Sequence, residues 1–191
     1  MGDSPIFIRL LGLQDKSLLP EGTRILNVTQ GIGLFAQDYL EKRIEEPESQ
    51  VLGAFDREKL IGIAIAQMIN EFSFYLPFDP EIEKKLSGKK VGSFSTLCFL
   101  DEYRGLGLGQ KMSHHRLAWL NQKDCDVIVG VSWVSGLAHT SDRVFVKMGF
   151  EKVKRVENFF YQSSIEKPFV CPGCGEPPCT CPAEFFMRYL K

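Results

Sequence analysis

Apolar and polar positions alternate from the start of the chain: Ile6, Ile8 and Leu10 flank Phe7 and Arg9, which predicts a strand over residues 5–12 buried mainly on one face. Polar linker and turn text is expected to follow through Gly31. From 32 to 44 the spacing of Leu34, Tyr39, Leu40 and Ile44 among charges predicts a helix, and Pro47 ends it because proline has no N–H for the helix ladder. Val51 to Phe55 and Leu60 to Ile69 read as a β-hairpin turning through 56–59, with Gly62 marking a bulge or a close backbone approach.

Residues 71–90, EFSFYLPFDPEIEKKLSGKK, break the pattern with two prolines and a short charged helix. Phe72, Phe74, Tyr75 and Phe78 are too many rings for a solvated linker, so this insert is either a substrate-side loop or a segment tucked onto the core or a homodimer contact. A strand over 91–100 then runs into a glycine-rich junction. Leu108, Met112, His115 and Trp119 recur at helical spacing, predicting a helix over 107–121 with His115 on its apolar face. His114 lies beside that face and is not expected to be catalytic. Residues 126–133 predict a strand, 137–148 a helix with Val144, Phe145 and Met148 facing inward, 150–156 and 159–162 one long or bulged strand, and 184–190 a final strand.

This order is mixed, an α/β (α+β) fold in one domain spanning 1–191, with 71–90 as an insert and 167–183 as an appendage. With 191 residues and 44% hydrophobic content, the chain can bury a core without disulfides. Its 23 basic and 24 acidic residues are interspersed, so no broad field steers nucleic acid. The first residues lack the basic and apolar regions of a signal peptide, and the apolar run 60–69 is too short to cross a bilayer. A cytoplasmic protein without membrane or nucleic-acid partners is expected.

The chemistry concentrates in two places. Arg104-Gly105-Leu106-Gly107-Leu108-Gly109 joins strand to helix; its glycines allow close backbone approach, and the helix start leaves N–H groups for phosphate oxygens. Cys171, Cys174, Cys179 and Cys181 form a Cys-x-x-Cys-x-x-x-x-Cys-x-Cys run among Gly173, Gly175, Pro177 and Pro178. Structural zinc, free or redox-active thiols, and disulfides all remain open for it; a catalytic zinc is disfavoured, because four cysteines leave no open ligand position. Cys98 and Cys125 sit singly in apolar runs as core thiols.

RGLGLG at 104–109 resembles motif A, Arg/Gln-x-x-Gly-x-Gly/Ala, of the GNAT family of N-acetyltransferases, and FVKMGF at 145–150 resembles that family's later Tyr-x-x-x-Gly-Phe segment. The resemblance covers residues 5–165 and the last strand. It implies a central sheet splayed between the strands ending near Leu100 and Trp133 and flanked by helices. Acetyl-CoA would then be the co-substrate, its pantetheine paired with the backbone of Cys98, Phe99 and Leu100, and its diphosphate held by amides from Arg104 to Gln110. A primary amine of a small molecule or peptide would attack the thioester directly in a ternary complex, with a backbone N–H near Phe99 serving the oxyanion.

Phe145 stands where the family commonly has its tyrosine general acid, and Ala138 where it often has asparagine. Ser141, His139 or water would then protonate the leaving thiolate. Alternatively the chain binds acyl-CoA as a regulatory or interaction module with weak or no catalysis. Glu71, Glu102 and Asp101 are the nearby acidic candidates for a base.

Overall fold

The computed structural model of the protein describes residues 6–136 and 141–191; His139 and Ala138 lie outside the described residues. Among the described residues seven strands form one sheet: β1 (Ile6–Leu10), β2 (Ser49–Asp56), β3 (Lys59–Ile69), β4 (Val91–Phe99), β5 (Val127–Trp133), β6 (Glu151–Val156) and β7 (Ala183–Tyr189), in the order β1-β2-β3-β4-β5-β7-β6. Every pairing is antiparallel except that of β4 with β5. This is the mixed sheet that the element order predicts.

The helices are α1 (Leu19–Gln30), α2 (Tyr39–Glu45), α3 (Ile82–Leu86), α4 (Leu108–Gln122), α5 (Asp142–Lys147) and α6 (Tyr161–Glu166). The first replaces the expected linker. Pro20 stands in its opening turn, where a missing N–H costs nothing, and Gly22 marks a crossing so tight that a Cβ there would lie 2.6 Å from Leu40 of α2. Helix α2 is confined to the second half of the predicted 32–44 span. Helix α6 replaces the strand expected at 159–162: Asn158 turns the chain at φ 51°, and the adjacent Phe159 and Phe160 pack on Phe78 and Trp133 instead of alternating across a sheet.

One face of the sheet carries α1 and α2 over Ile63, Ile65 and Cys98, and beside them the insert, whose Tyr75, Phe78, Ile82 and Leu86 pack on Val127, Val129 and Phe185. The other face carries α4 and α5. The insert therefore spends most of its rings on the chain's own core, leaving Phe74 exposed. Helix α4 buries Leu108, Met112, Ser113, Arg116 and Leu120, so the inward stripe runs through Arg116, and His115 is exposed rather than on the apolar face. No helix among the described residues is long and apolar enough to cross a membrane.

The feature that makes a site is where the sheet stops being continuous. β4 and β5 pair only from Val91 with Val127 to Phe94 with Gly130, while each keeps its outer neighbour along its whole length. At the point of divergence the β3–β4 register shifts, with Ile65 opposite Thr96 and Ala66 opposite Phe94, so Ser95 is an extra residue. A bulge bends its strand and reverses the side-chain parity beyond it.

Candidate active site

The divergence is wedged open by side chains on the α4 face. Phe145 stacks on Phe186 with ring centroids 4.8 Å apart, and a Cβ on Gly130 would lie 2.4 Å from the Phe145 ring, so the ring occupies the space that a side chain on β5 would fill. Beside it, Arg116 is 2% exposed, with its guanidinium 3.9 Å from the Phe94 ring centroid. It donates to Ser113 Oγ at 2.7 Å, to Thr96 O at 3.1 Å and, less closely, to Ile65 O at 3.4 Å, thus gripping both strands at the bulge. Burial pushes its pKa down to about 9, which still leaves it charged at neutral pH. The signal for Arg116 was present in the sequence, since it follows Met112 by four residues on α4.

Past the wedge, the edge of β4 faces a cleft of about 930 Å³. Leu100 N–H bonds Ile61 O, and counting back through the antiparallel alternation puts Cys98 in a bonded pair with Ile63. Leu97 and Phe99 therefore direct their N–H and C=O groups into the space that β5 has left; Arg104 Nε reaches Phe99 O at 3.4 Å from that side. The free backbone is thus that of Leu97 and Phe99. Of the expected set, Cys98 and Phe99 line the cleft and Leu100 does not, and backbone direction alternates along the strand, so Leu97 joins Phe99 in facing the opening. The Cys98 thiol is buried, which raises it to about 11 and keeps it protonated.

The glycine junction closes the same side of the cleft. Gly105 and Gly107 hold φ of 77° and 74°, a region that strains residues with a Cβ, and Gly107 caps α4. The first-turn N–H groups of Leu108, Gly109 and Gln110 have no carbonyl one turn earlier in the helix. A Cβ on Gly109 would meet Leu97 and Val144 at 3.4 Å, which shows how closely the helix start packs between β4 and α5. Arg104 bonds Asp101 at 3.0 Å and holds the turn to the end of β4. Gly105, Gly107, Leu108, Gly109, Gln110 and Phe145 line the cleft as expected; Leu106, 57% exposed, and Leu100 do not.

Of the candidates for proton transfer, Ser141 lines the cleft at the start of α5 and its Oγ lies 2.9 Å from Ser132 Oγ of β5. Glu102 lies off the cleft. Its exposed carboxylate bonds Lys59 at 3.1 Å, and backbone N–H bonding together with that lysine holds it below the usual carboxylate range. Glu71 does line the cleft, but the Ser73 N–H at 2.9 Å likewise depresses its pKa, so it is a weak base suited to attracting a cation.

On the insert's face the cleft is lined by hydroxyls that sequence reasoning missed. Tyr75 Oη lies 3.3 Å from Ser93 Oγ, and Ser95, the bulge residue, lies 3.3 Å from Ser93 and 2.8 Å from Gln67 Oε1. Burial raises the Tyr75 phenol, keeping it neutral. Leu34, Trp133 and Phe160 complete this end. Behind them the four cysteine sulfurs of 171–181 lie within 4.8 Å of one another.

A sheet opened at one parallel pair, with free β4 backbone beside a glycine-turned helix start, is the arrangement that the two motifs imply. Residues 23–150 match the profile described as "Acetyltransferase (GNAT) family". The chain belongs to that family. It is accordingly an enzyme that uses acetyl-CoA as co-substrate and acetylates an amine. A search of curated proteins finds no match. Among solved structures, the NatC complex bound to Gag peptide and CoA superposes with a TM-score of 0.70 at 13% identity, covering 97% of this chain and 99% of that one. A mosquito arylalkylamine N-acetyltransferase like 5b superposes at 0.68 with 18% identity, covering 97% and 100%. A GNAT-family acetyltransferase from Streptococcus pneumoniae does so at 0.67 with 13% identity, again covering 97% and 100%. At these identities they show a shared fold.

Proposed function

We propose that this acetyltransferase, acting as one domain over its 191 residues, holds the diphosphate of acetyl-CoA on the first turn of α4. The pantetheine arm lies along Leu97 and Phe99, and a neutral primary amine attacks the thioester from the insert's face of the sheet. The observation that carries this reading is the loss of β4–β5 pairing beyond Phe94 and Gly130, which frees β4 backbone next to the helix start. A single helix end contributes only about 0.3–1 kcal/mol to an exposed anion, so several amides must act together. Gly105 and Gly107 let the turn present them.

The amine nitrogen forms its bond to the acetyl carbon, the carbonyl oxygen takes up negative charge beside the N–H of Phe99 or Leu97, and the C–S bond then breaks. The nitrogen, an acidic ammonium once its bond to carbon has formed, loses its proton through water to the Glu71 carboxylate, which remains a stronger base than water although the Ser73 N–H holds its pKa down. The CoA sulfur leaves as thiolate, whose ordinary pKa of about 8.5 makes strong acid catalysis unnecessary. Ser141, whose hydroxyl donates to Ser132 Oγ at 2.9 Å, turns from that bond to give the sulfur a proton and takes one back from water. Phe145 does no proton chemistry; its ring holds the sheet apart.

Acceptors are primary amines that carry apolar or aromatic substance beside the nitrogen, matched by Phe74, Trp133 and Phe160. The solved relatives include one complex with a peptide and one arylalkylamine acetyltransferase, which supports testing both classes. Acetyl-CoA binding by calorimetry, with thiol release assayed across arylalkylamines and peptides with free N-termini, tests the reading. Saturable binding with release for one class is expected. Tight binding without release for any amine would make the chain an acyl-CoA-binding module, and no binding would remove the cleft from consideration.

A further inference from the structure

The four cysteines take no part in acetyl transfer, yet their arrangement is that of a site. Cys171 and Cys181 have sulfurs 3.6 Å apart, as do Cys174 and Cys179, and all four lie within 4.8 Å of one another. A disulfide would require about 2.05 Å. Four sulfurs about 2.3 Å from a central zinc form a tetrahedron with edges of about 3.8 Å. The backbone is shaped for charged sulfur as well. The N–H groups of Gly173 and Cys174 donate to Cys171 Sγ at 3.3 and 3.2 Å, and such donors favour a thiolate acceptor. Cys171 and Gly175 exchange both backbone hydrogen bonds at 2.8 Å, with Gly175 at φ 86°, which curls the loop around the sulfurs.

The loop is also tied to the cleft. Val170 pairs with Ile32, and Lys167 Nζ bonds Leu34 O at 2.7 Å, which fixes the segment after α1. Cys179 N–H bonds Ser164 Oγ of α6 at 2.8 Å, and Val134 N–H bonds Pro182 O at 2.9 Å at the end of β5. Phe169 and three of the cysteines form a small core against Leu34, Trp133 and Phe160, and these last three are the apolar residues at the insert's end of the cleft. Gly173 presses on the chain at Ser135, where a Cβ would come within 2.4 Å of the Ser135 carbonyl oxygen.

We infer that Cys171, Cys174, Cys179 and Cys181 hold one zinc ion in a closed tetrathiolate site, and that this ion fixes the wall of the cleft at which the amine enters. The second half rests on the direction of amine approach proposed above. With all four positions taken by sulfur, the ion has no place for water or substrate and does no chemistry. Its work is to hold together, alongside the bonds above, the segments after α1, at the end of β5 and at α6.

The test uses the full chain purified under reducing, zinc-replete conditions. Metal analysis should give one zinc per chain, released on thiol modification; absence of zinc with four freely titrating thiols overturns the site. The Cys174→Ser variant, which changes the exposed cysteine, should lose the ion, and Cys174→His, which restores a ligand, should regain it. Hydrogen exchange of zinc-free protein should quicken in segments 31–35, 133–135 and 160–164 while the α4 start stays protected and acetyl-CoA affinity is unchanged. With a turned-over amine, its KM should rise about tenfold or more, as misplaced reactants lose rate. Equal loosening of the α4 end, or no loosening at the wall, overturns the second half. Should no amine be acetylated by the zinc-loaded protein, the functional reading fails, while metal content and exchange still decide the inference.

Discussion

The two ends of the cleft are built from different materials. The α4 end is made of main chain: the β4 edge at Leu97 and Phe99, two glycines at positive φ, and the first turn of a helix. The insert's end is made of side chains from distant segments, with Leu34, Gln67, Tyr75, Ser95, Trp133 and Phe160 brought together over the sheet. A main-chain site recognises what is common to a ligand class, which under the proposed reading is phosphate and amide groups, and tolerates change in the residues around it. A side-chain site can be altered one residue at a time without disturbing the first. On the proposed placement, cofactor binding and acceptor choice are separable in this molecule and meet at the wedge of Phe94, Arg116 and Phe145.

Breaking the joint should give the largest effect and spare neither end. Arg116→Ala removes a buried cation that grips Ile65 and Thr96, with an expected cost of about 3 kcal/mol, or a fall in Tm of roughly 6–12 °C for a chain of this size. Acetyl-CoA affinity and acceptor KM should both worsen; thermal melts and calorimetry check this, and a loss confined to one end would contradict the wedge. Gly107→Val should act on the α4 end alone. A β-branched residue at φ 74° costs about 1–3 kcal/mol, so acetyl-CoA should bind about tenfold or more weakly while exchange rates at the insert stay as they were.

Smaller effects sharpen the division. Ser141→Ala should lower kcat by about tenfold or less, below the 10²–10⁴ of a general acid that the reaction strictly needs, with acetyl-CoA affinity unchanged. A larger fall would mean the thiolate cannot leave without it. On the insert, Asp79 accepts from Lys85 at 2.6 Å and from the Glu81 N–H at 3.0 Å, and chiefly the lysine holds its carboxyl below the ordinary range. A depressed acid stabilises the fold at pH above its unfolded value and ceases to do so as pH falls through its folded one. The stability difference between wild type and Asp79→Asn, about 0.5–1 kcal/mol at neutral pH, should therefore shrink on acidification, and melts from pH 7 to pH 3 read it directly.

How far each end was legible follows from the same contrast. The α4 end lies in one run of residues, so RGLGLG between a strand and a helix was enough to place it. Even there Leu100 and Leu106 stand outside the residues that line the cleft, because the direction of a backbone group depends on a partner strand's register and local exposure on packing. At the insert's end only Glu71 and the aromatic run stood out. Ser93, Ser95 and Gln67 carry no signal of their own; they meet Tyr75 because β3 and β4 align across a bulge. Helix α1 was hidden by Pro20 and Gly22, residues that suit a turn equally well until Leu40 is known to pack against the glycine.

The sequence by itself determined the strand and helix periods of the central sheet, the glycine turn into α4, the family, and the grouping of four cysteines, since each is a matter of residues close together in the chain. Only the tertiary structure decided that β4 and β5 part at Phe94 and Gly130, and that the four sulfurs converge behind Leu34, Trp133 and Phe160. Those outcomes depend on long-range register and on which neighbour fills a given space, and a one-residue shift of strand alignment would reverse them.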